Sequence, residues 1–128
     1  MSDLNTTHNR LVWFDIPVAD IERAAAFYRA VLCVDVQVVP MGNGQLGVIE
    51  HHDGNGGCLV HDPESISRQG GILVYLNAAG RVRDALRQAE RLGGRVLEPI
   101  TSIGQHGFRA IVQDSEGNRI GLHSPTDA

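Results

Sequence analysis

Six histidines, fifteen aspartates and glutamates and two cysteines in 128 residues are raw material for a metal centre, provided a fold gathers them. The densest cluster is "IEHHDGNGG", where His51 and His52 follow Glu50 at the tip of an expected hairpin. Adjacent strand residues point to opposite faces, so Glu50, His51, His52 and Asp53 cannot all converge. His61 and Asp62 abut Pro63 and read as a cap or turn. His8 falls in a polar tail and reads as uninvolved. Cys33 and Cys58 sit in apolar stretches, "AVLCVDV" and "GGCLVH", and read as free buried thiols of a reducing cytosol, because no spacing signature supports a disulfide or metal pair. "GNGG" and "GGIL" are not phosphate loops, since no lysine followed by serine or threonine opens a helix after them. Nothing places a Ser-His-Asp set.

The elements that must position these groups come twice. "LVWFDIPV" is a β-rich run, and Asp20 then offers a helix N-cap with Glu22 in the first turn. Ile21, Ala24, Ala25, Tyr28, Val31 and Leu32 recur at helical spacing. "VDVQVVP" reads as a strand ended by Pro40, and "QLGVIEH" and "GCLVH" flank a glycine-rich turn expected to supply positive φ angles. "GILVYLN", starting at Gly71, begins the pattern again. A helix follows with Val82, Ala85, Leu86, Ala89 and Leu92 on one face, and Gly93 and Gly94 stop it. "RVLEP", "FRAIVQD" and "NRIGLHS" complete the second set, with "SEG" as the last turn.

An offset of sixty places Leu32 on Leu92, Val36 on Val96, Ala25 on Ala85 and Arg23 on Arg83. The expectation is therefore one α+β domain of two tandem βαβββ modules, residues 11–61 and 71–124. A polar tail, 1–10, precedes them and a linker, 62–70, joins them. Each helix covers one face of its sheet, so the other faces form a cup-like, half-closed, mixed β-sheet barrel with helices outside.

Composition limits the partners. Hydrophobic residues make up 42% and charged residues 20%, a globular balance. The net charge is −4, with no run of like charges, and gives no reason to expect nucleic acid. The polar start reads as neither a signal peptide nor an anchor, and no window approaches the ~18 apolar residues that span a bilayer. A cytoplasmic protein without a membrane partner is expected.

Two motifs carry a resemblance. Val18, Asp20, Ile21, Ala24, Phe27 and Tyr28 in the first module, and Asp114, Gly117, Asn118, Ile120 and Leu122 in the last hairpin, resemble the vicinal oxygen chelate superfamily. That superfamily groups glyoxalase I, bleomycin-resistance proteins and extradiol dioxygenases, and the likeness runs from Leu11 to Ser124. In its metal-dependent members the resemblance implies four ligands, from the first and last strands of both modules. Here those positions fall on Trp13, Gly71, Gly121 and on or near Val60, none of which offers a donor atom to a divalent cation. No metal or other cofactor is therefore expected. Asp15 shares Trp13's face and His123 shares Gly121's, while Tyr75 shares Gly71's. These residues are expected to line a ligand cavity with Leu73, and with His106 from a glycine-flanked loop over the mouth. Alternatively, Asp15 and His123 are ordinary polar groups at sheet ends. Glycines at two ligand positions should leave room that Trp13 enters as a flat floor for a planar or aromatic molecule. Three readings stand: a metal-independent small-molecule binder, a lyase, isomerase or dioxygenase with a displaced metal site, and a non-catalytic dimerisation module. The resemblance also implies a homodimer.

Overall fold

The computed structural model describes residues 11–128; the tail with His8 lies outside them. β1 (Trp13–Val18) buries alternate residues, Ile16 and Val18, and leaves Trp13, Asp15 and Pro17 on its other face. Asp20, in extended conformation, caps α1 (Ile21–Leu32) by accepting from the Arg23 amide at 3.0 Å. The expected stripe is buried, joined by Phe27, and Leu32 is half-buried. β2 (Val36–Met41), β3 (Gly44–Ile49) and β4 (Gly56–His61) run antiparallel, and β4 returns beside β1 in parallel, giving the order β1-β4-β3-β2.

The second module repeats this plan. β5 (Tyr75–Asn77), α2 (Val82–Arg91), β6 (Arg95–Ser102), β7 (Phe108–Gln113) and β8 (Arg119–Ser124) give the order β5-β8-β7-β6. Val82, Ala85 and Ala89 are buried on α2, and Gly93 follows it at φ +91°, as a left-handed stop requires. The helix-side faces of both sheets share one core, in which Ile16, Val18, Phe27, Tyr28 and Leu59 meet Leu76, Val112, Ile120 and Leu122. The two sheets are not hydrogen-bonded to each other, so the cup stays half-closed, as expected. No helix among the described residues is long and apolar enough to cross a membrane.

Three local expectations are corrected. The second module's first strand begins at Tyr75 and not at Gly71, because β8 pairs with only three of its residues. Gly71 sits at φ +83°, outside extended geometry, and Ile72 beside it is 90% exposed. In the β3–β4 turn the positive φ falls on His52, at 49°, and neither Gly54 nor Asn55 adopts one. Cys58 is buried, but Cys33 is exposed, holding the left-handed position that ends α1 at φ 55°.

Candidate functional site

The two family-like motifs turn out to be bonded to each other. The Asp114 carboxylate accepts from the amides of Glu116, Gly117 and Asn118 through Oδ1, folding the β7–β8 turn back on itself. Its Oδ2 accepts from the Tyr28 hydroxyl of α1 at 2.5 Å and from Asn118 Nδ2. Asn118 Nδ2 also donates to the Pro17 carbonyl in β1. Glu116, its side chain fully buried, accepts from the Ala19 and Asp20 amides and from a two-point Arg23 fork at 2.7 and 2.9 Å. Burial alone would raise the Glu116 pKa, but these donors hold it below its ordinary value. Burial, followed by the Asp114 charge, pushes the Tyr28 phenol well above its usual range. Arg81 at the start of α2 adds hydrogen bonds to the carbonyls of Val31 and Ala30 at the end of α1. The β7–β8 turn is therefore a clamp between modules, joining it to β1 and α1.

Alternation assigns those open faces. On the first sheet Trp13, Asp15 and Pro17 look away from the helices, opposite Gly56, Cys58 and Val60 of β4. On the second, Tyr75 and Asn77 do so, opposite Gly121 and His123 of β8, which face Ile111 and Arg109 of β7. A Cβ built on Gly121 would lie 2.6 Å from Cδ1 of Tyr75, so the tyrosine ring lies over this glycine. The room expected above Gly121 is thus already taken by Tyr75. Arg109 Nη1 donates to the Tyr75 hydroxyl at 2.5 Å and fixes the ring. The first module uses the same device on the opposite face: Phe14 lies over Gly57, towards the helices.

Around Trp13, the His51 ring stands edge-on at 5.8 Å. The Cys58 thiol donates to Asp15 Oδ1 at 3.2 Å. Burial pushes this thiol up to about 11, against an opposing contact from Trp13 and with reinforcement from Asp15. His123 Nε2 donates to the His106 carbonyl at 2.7 Å, tying the Gly104–His106 turn to the end of β8. Of the residues expected from the sequence, the fold therefore pairs Tyr75 with Gly121 and His123 with His106. Trp13, Asp15 and Val60 share the first sheet's face. Gly71 and Leu73 precede β5, so Tyr75 does not share a strand face with Gly71. Arg109 and the Asp15–Cys58 pairing escaped the sequence reading, although folding "FRAIVQ" back across "SEG" brings Arg109 opposite His123.

Among the described residues no group of three or more His, Cys, Asp and Glu side chains is gathered so as to hold a metal ion. A cleft of about 440 Å³ lies at one end of the seam between modules, among Leu11, Phe14, Leu32, Val34, His51 and Leu76. Tyr75 alone of the expected residues reaches it. A smaller cleft of about 80 Å³ opens farther along the seam, with Asp15 and Arg119 in its walls.

The fold has many known counterparts. A glyoxalase/bleomycin resistance protein from Albidiferax ferrireducens T118 superposes with a TM-score of 0.73 at 15% identity, over 91% of this chain and 98% of that one. TnmS3, an antibiotic binding protein from Streptomyces sp. CB03234, gives 0.65 at 23% identity, over 94% and 99%. The fosfomycin resistance protein FosX from Listeria monocytogenes gives 0.67 at 13% identity, over 92% and 94%. At these identities the likeness is one of fold. No curated protein matches the sequence significantly. Residues 10–122 match the family described as Glyoxalase/Bleomycin resistance protein/Dioxygenase superfamily, and with nearly the whole chain covered, the protein belongs to that superfamily.

Proposed function

We propose that this protein binds a small planar or aromatic molecule against the open faces of its sheets, without a metal ion. The observation that carries the reading is the mounting of Tyr75: one side of the ring rests over Gly121, its hydroxyl is held by Arg109, and the residue is 44% exposed. A ring fixed in this way presents a stacking surface at small entropic cost. Trp13 adds a second, half-buried aromatic on the neighbouring sheet. The similarity in fold to a protein named as antibiotic-binding supports the same class of activity.

The residues at the superfamily's metal positions do not fit a divalent ion. Trp13, Gly121 and Val60 supply no ligating oxygen, thiolate or imidazole, and Gly71 offers no side chain and lies outside β5. Nearby, Cys58 and Asp15 offer two groups, and the thiol is kept protonated by burial. Titrating planar compounds while following the fluorescence of Trp13, the chain's single tryptophan, tests the binding reading. A saturable response supports it, and silence across a broad set contradicts it. Stoichiometric zinc, nickel, manganese or iron in protein purified without a histidine tag would instead favour a metal-dependent enzyme.

A homodimer is a second element of the proposal. Val39, Leu46, Val48 and Val60 form a half-exposed apolar strip on the first sheet's open face, which a second copy can cover. Light scattering at micromolar concentration decides it: twice the 13.8 kDa mass supports the dimer, and the single mass contradicts it.

A further inference from the structure

Five arginines deserve comparison at Nε. That atom donates to Glu116 in Arg23, to the Val36 carbonyl in Arg29, to the Asp127 carbonyl in Arg83 and to Gln88 in Arg91, at 2.7 to 3.2 Å. Arg119 differs: its Nε is buried and has no partner among the described residues. No carboxylate among those residues forms an ion pair with its guanidinium either. A buried N–H left without an acceptor is costly, and an arginine cannot escape by losing its proton. None of the described residues supplies that acceptor, which leaves the position open to a ligand.

The place for it is the small seam cleft. Arg119, Asp15, Ser67, Asn118, Ile72 and Leu76 are among its walls, and its volume is about 80 Å³. Asn118 is not the acceptor in this arrangement: its Oδ1 takes the Ser67 amide and no bond from Arg119 Nε, and its Nδ2 is a donor. Asp15 stands on the same cleft but outside ion-pair distance of Arg119. Its charge disfavours a dianion, while the volume suits a group of a few heavy atoms.

From this we propose that Arg119 forms an anion subsite at the module seam, taking the carboxylate of the bound molecule. A planar monoanion matches the fork geometry of guanidinium. The inference rests on the open-face binding reading and extends it. Arg119 and Gly121 are two apart on β8 and share a face, so the subsite lies about 6–7 Å along the strand from the glycine beneath Tyr75. A carboxylate at Arg119 and an aromatic ring beside Tyr75 are thus parts of one ligand.

The test uses the full chain with benzoate and benzamide, near-isosteric probes that differ in charge. Binding is followed by calorimetry and by the arginine Nε–H resonances in nitrogen–proton spectra. Benzoate is expected to bind about tenfold more tightly than benzamide, and R119Q to erase that difference by weakening benzoate the more. The Arg119 Nε–H resonance should move with benzoate, and that of Arg23 should not. The Arg119 resonance in the unsubstituted protein carries the test even where R119Q fails to fold. Equal affinity for the two probes, or an unmoved Arg119 resonance, overturns the subsite and leaves the open-face reading standing. If neither probe binds, the subsite falls, and the open-face reading is decided by the Trp13 titration across the broader set.

Discussion

Glu116→Gln is the sharpest probe of the clamp between modules. The carboxylate accepts from two backbone amides at 2.9 Å and from Arg23 Nε at 2.7 Å and Nη2 at 2.9 Å, with Ser115 Oγ at 3.0 Å. Glutamine keeps one carbonyl oxygen for the amides and Arg23 Nη2, but its NH₂ then faces Arg23 Nε, donor against donor. A charge-assisted hydrogen bond contributes about 1.5–3 kcal/mol, and Arg23, 53% exposed, recovers part of its loss from water. The net expectation is about 2 kcal/mol of destabilisation, or roughly 5–8 °C in Tm for a domain of this size. Urea unfolding at pH 7 measures it. A loss under ~0.5 kcal/mol would place the pair among ordinary surface ion pairs and refute the clamp argument. The pH dependence gives a second check. The folded-state pKa of Glu116 is depressed, so its stabilisation is complete above the unfolded-state value and fades as pH falls through the folded one. The unsubstituted protein and E116Q should therefore converge in stability only once the pH has fallen below the depressed folded-state pKa of Glu116.

Other outcomes follow from the same contacts. Tyr28→Phe removes the 2.5 Å hydrogen bond to Asp114 and should cost about 1–2 kcal/mol in chemical denaturation, with the fold retained. Gly121→Val places side-chain atoms where the Tyr75 ring lies, so planar-ligand binding should fall at least tenfold while the far-ultraviolet circular dichroism is unchanged. Thiol titration at pH 8 should show one fast group, exposed Cys33, and one slow group, Cys58, whose pKa near 11 leaves roughly one thiolate in a thousand. Two equally fast thiols in the native protein would contradict that placement.

Much of the fold was legible because local chemistry and tertiary packing agree. Asp20 reads as an N-cap and is one, and the helical stripes of both modules face the core, buried except for half-buried Leu32, Leu86 and Leu92. What the sequence hid depends on pairing length and on backbone conformation. "GILVYLN" is apolar up to Asn77, yet β8 pairs in register only with Tyr75, Leu76 and Asn77 and adds one bond from the Gly121 amide to the Val74 carbonyl, so Gly71 and Leu73 stay outside the sheet. Cys33 sits in an apolar run, yet the end of α1 turns it outward in a left-handed conformation. The site was harder still. Gly121 read as empty space because the residue that fills it, Tyr75, lies 46 positions away on the facing strand. Arg119 gave no signal, since an unpartnered guanidinium nitrogen is a property of its surroundings alone.

The central claim is that the open sheet faces, and not the helix side, receive a planar molecule. Amide shifts in nitrogen–proton spectra, recorded on saturation with any planar compound that alters Trp13 fluorescence, test it most directly. The account predicts shifts clustered at Trp13, Cys58, Tyr75, Gly121 and His123. Shifts confined to Leu32, Val34 and Ile49, around the cleft at the end of α1, would contradict it.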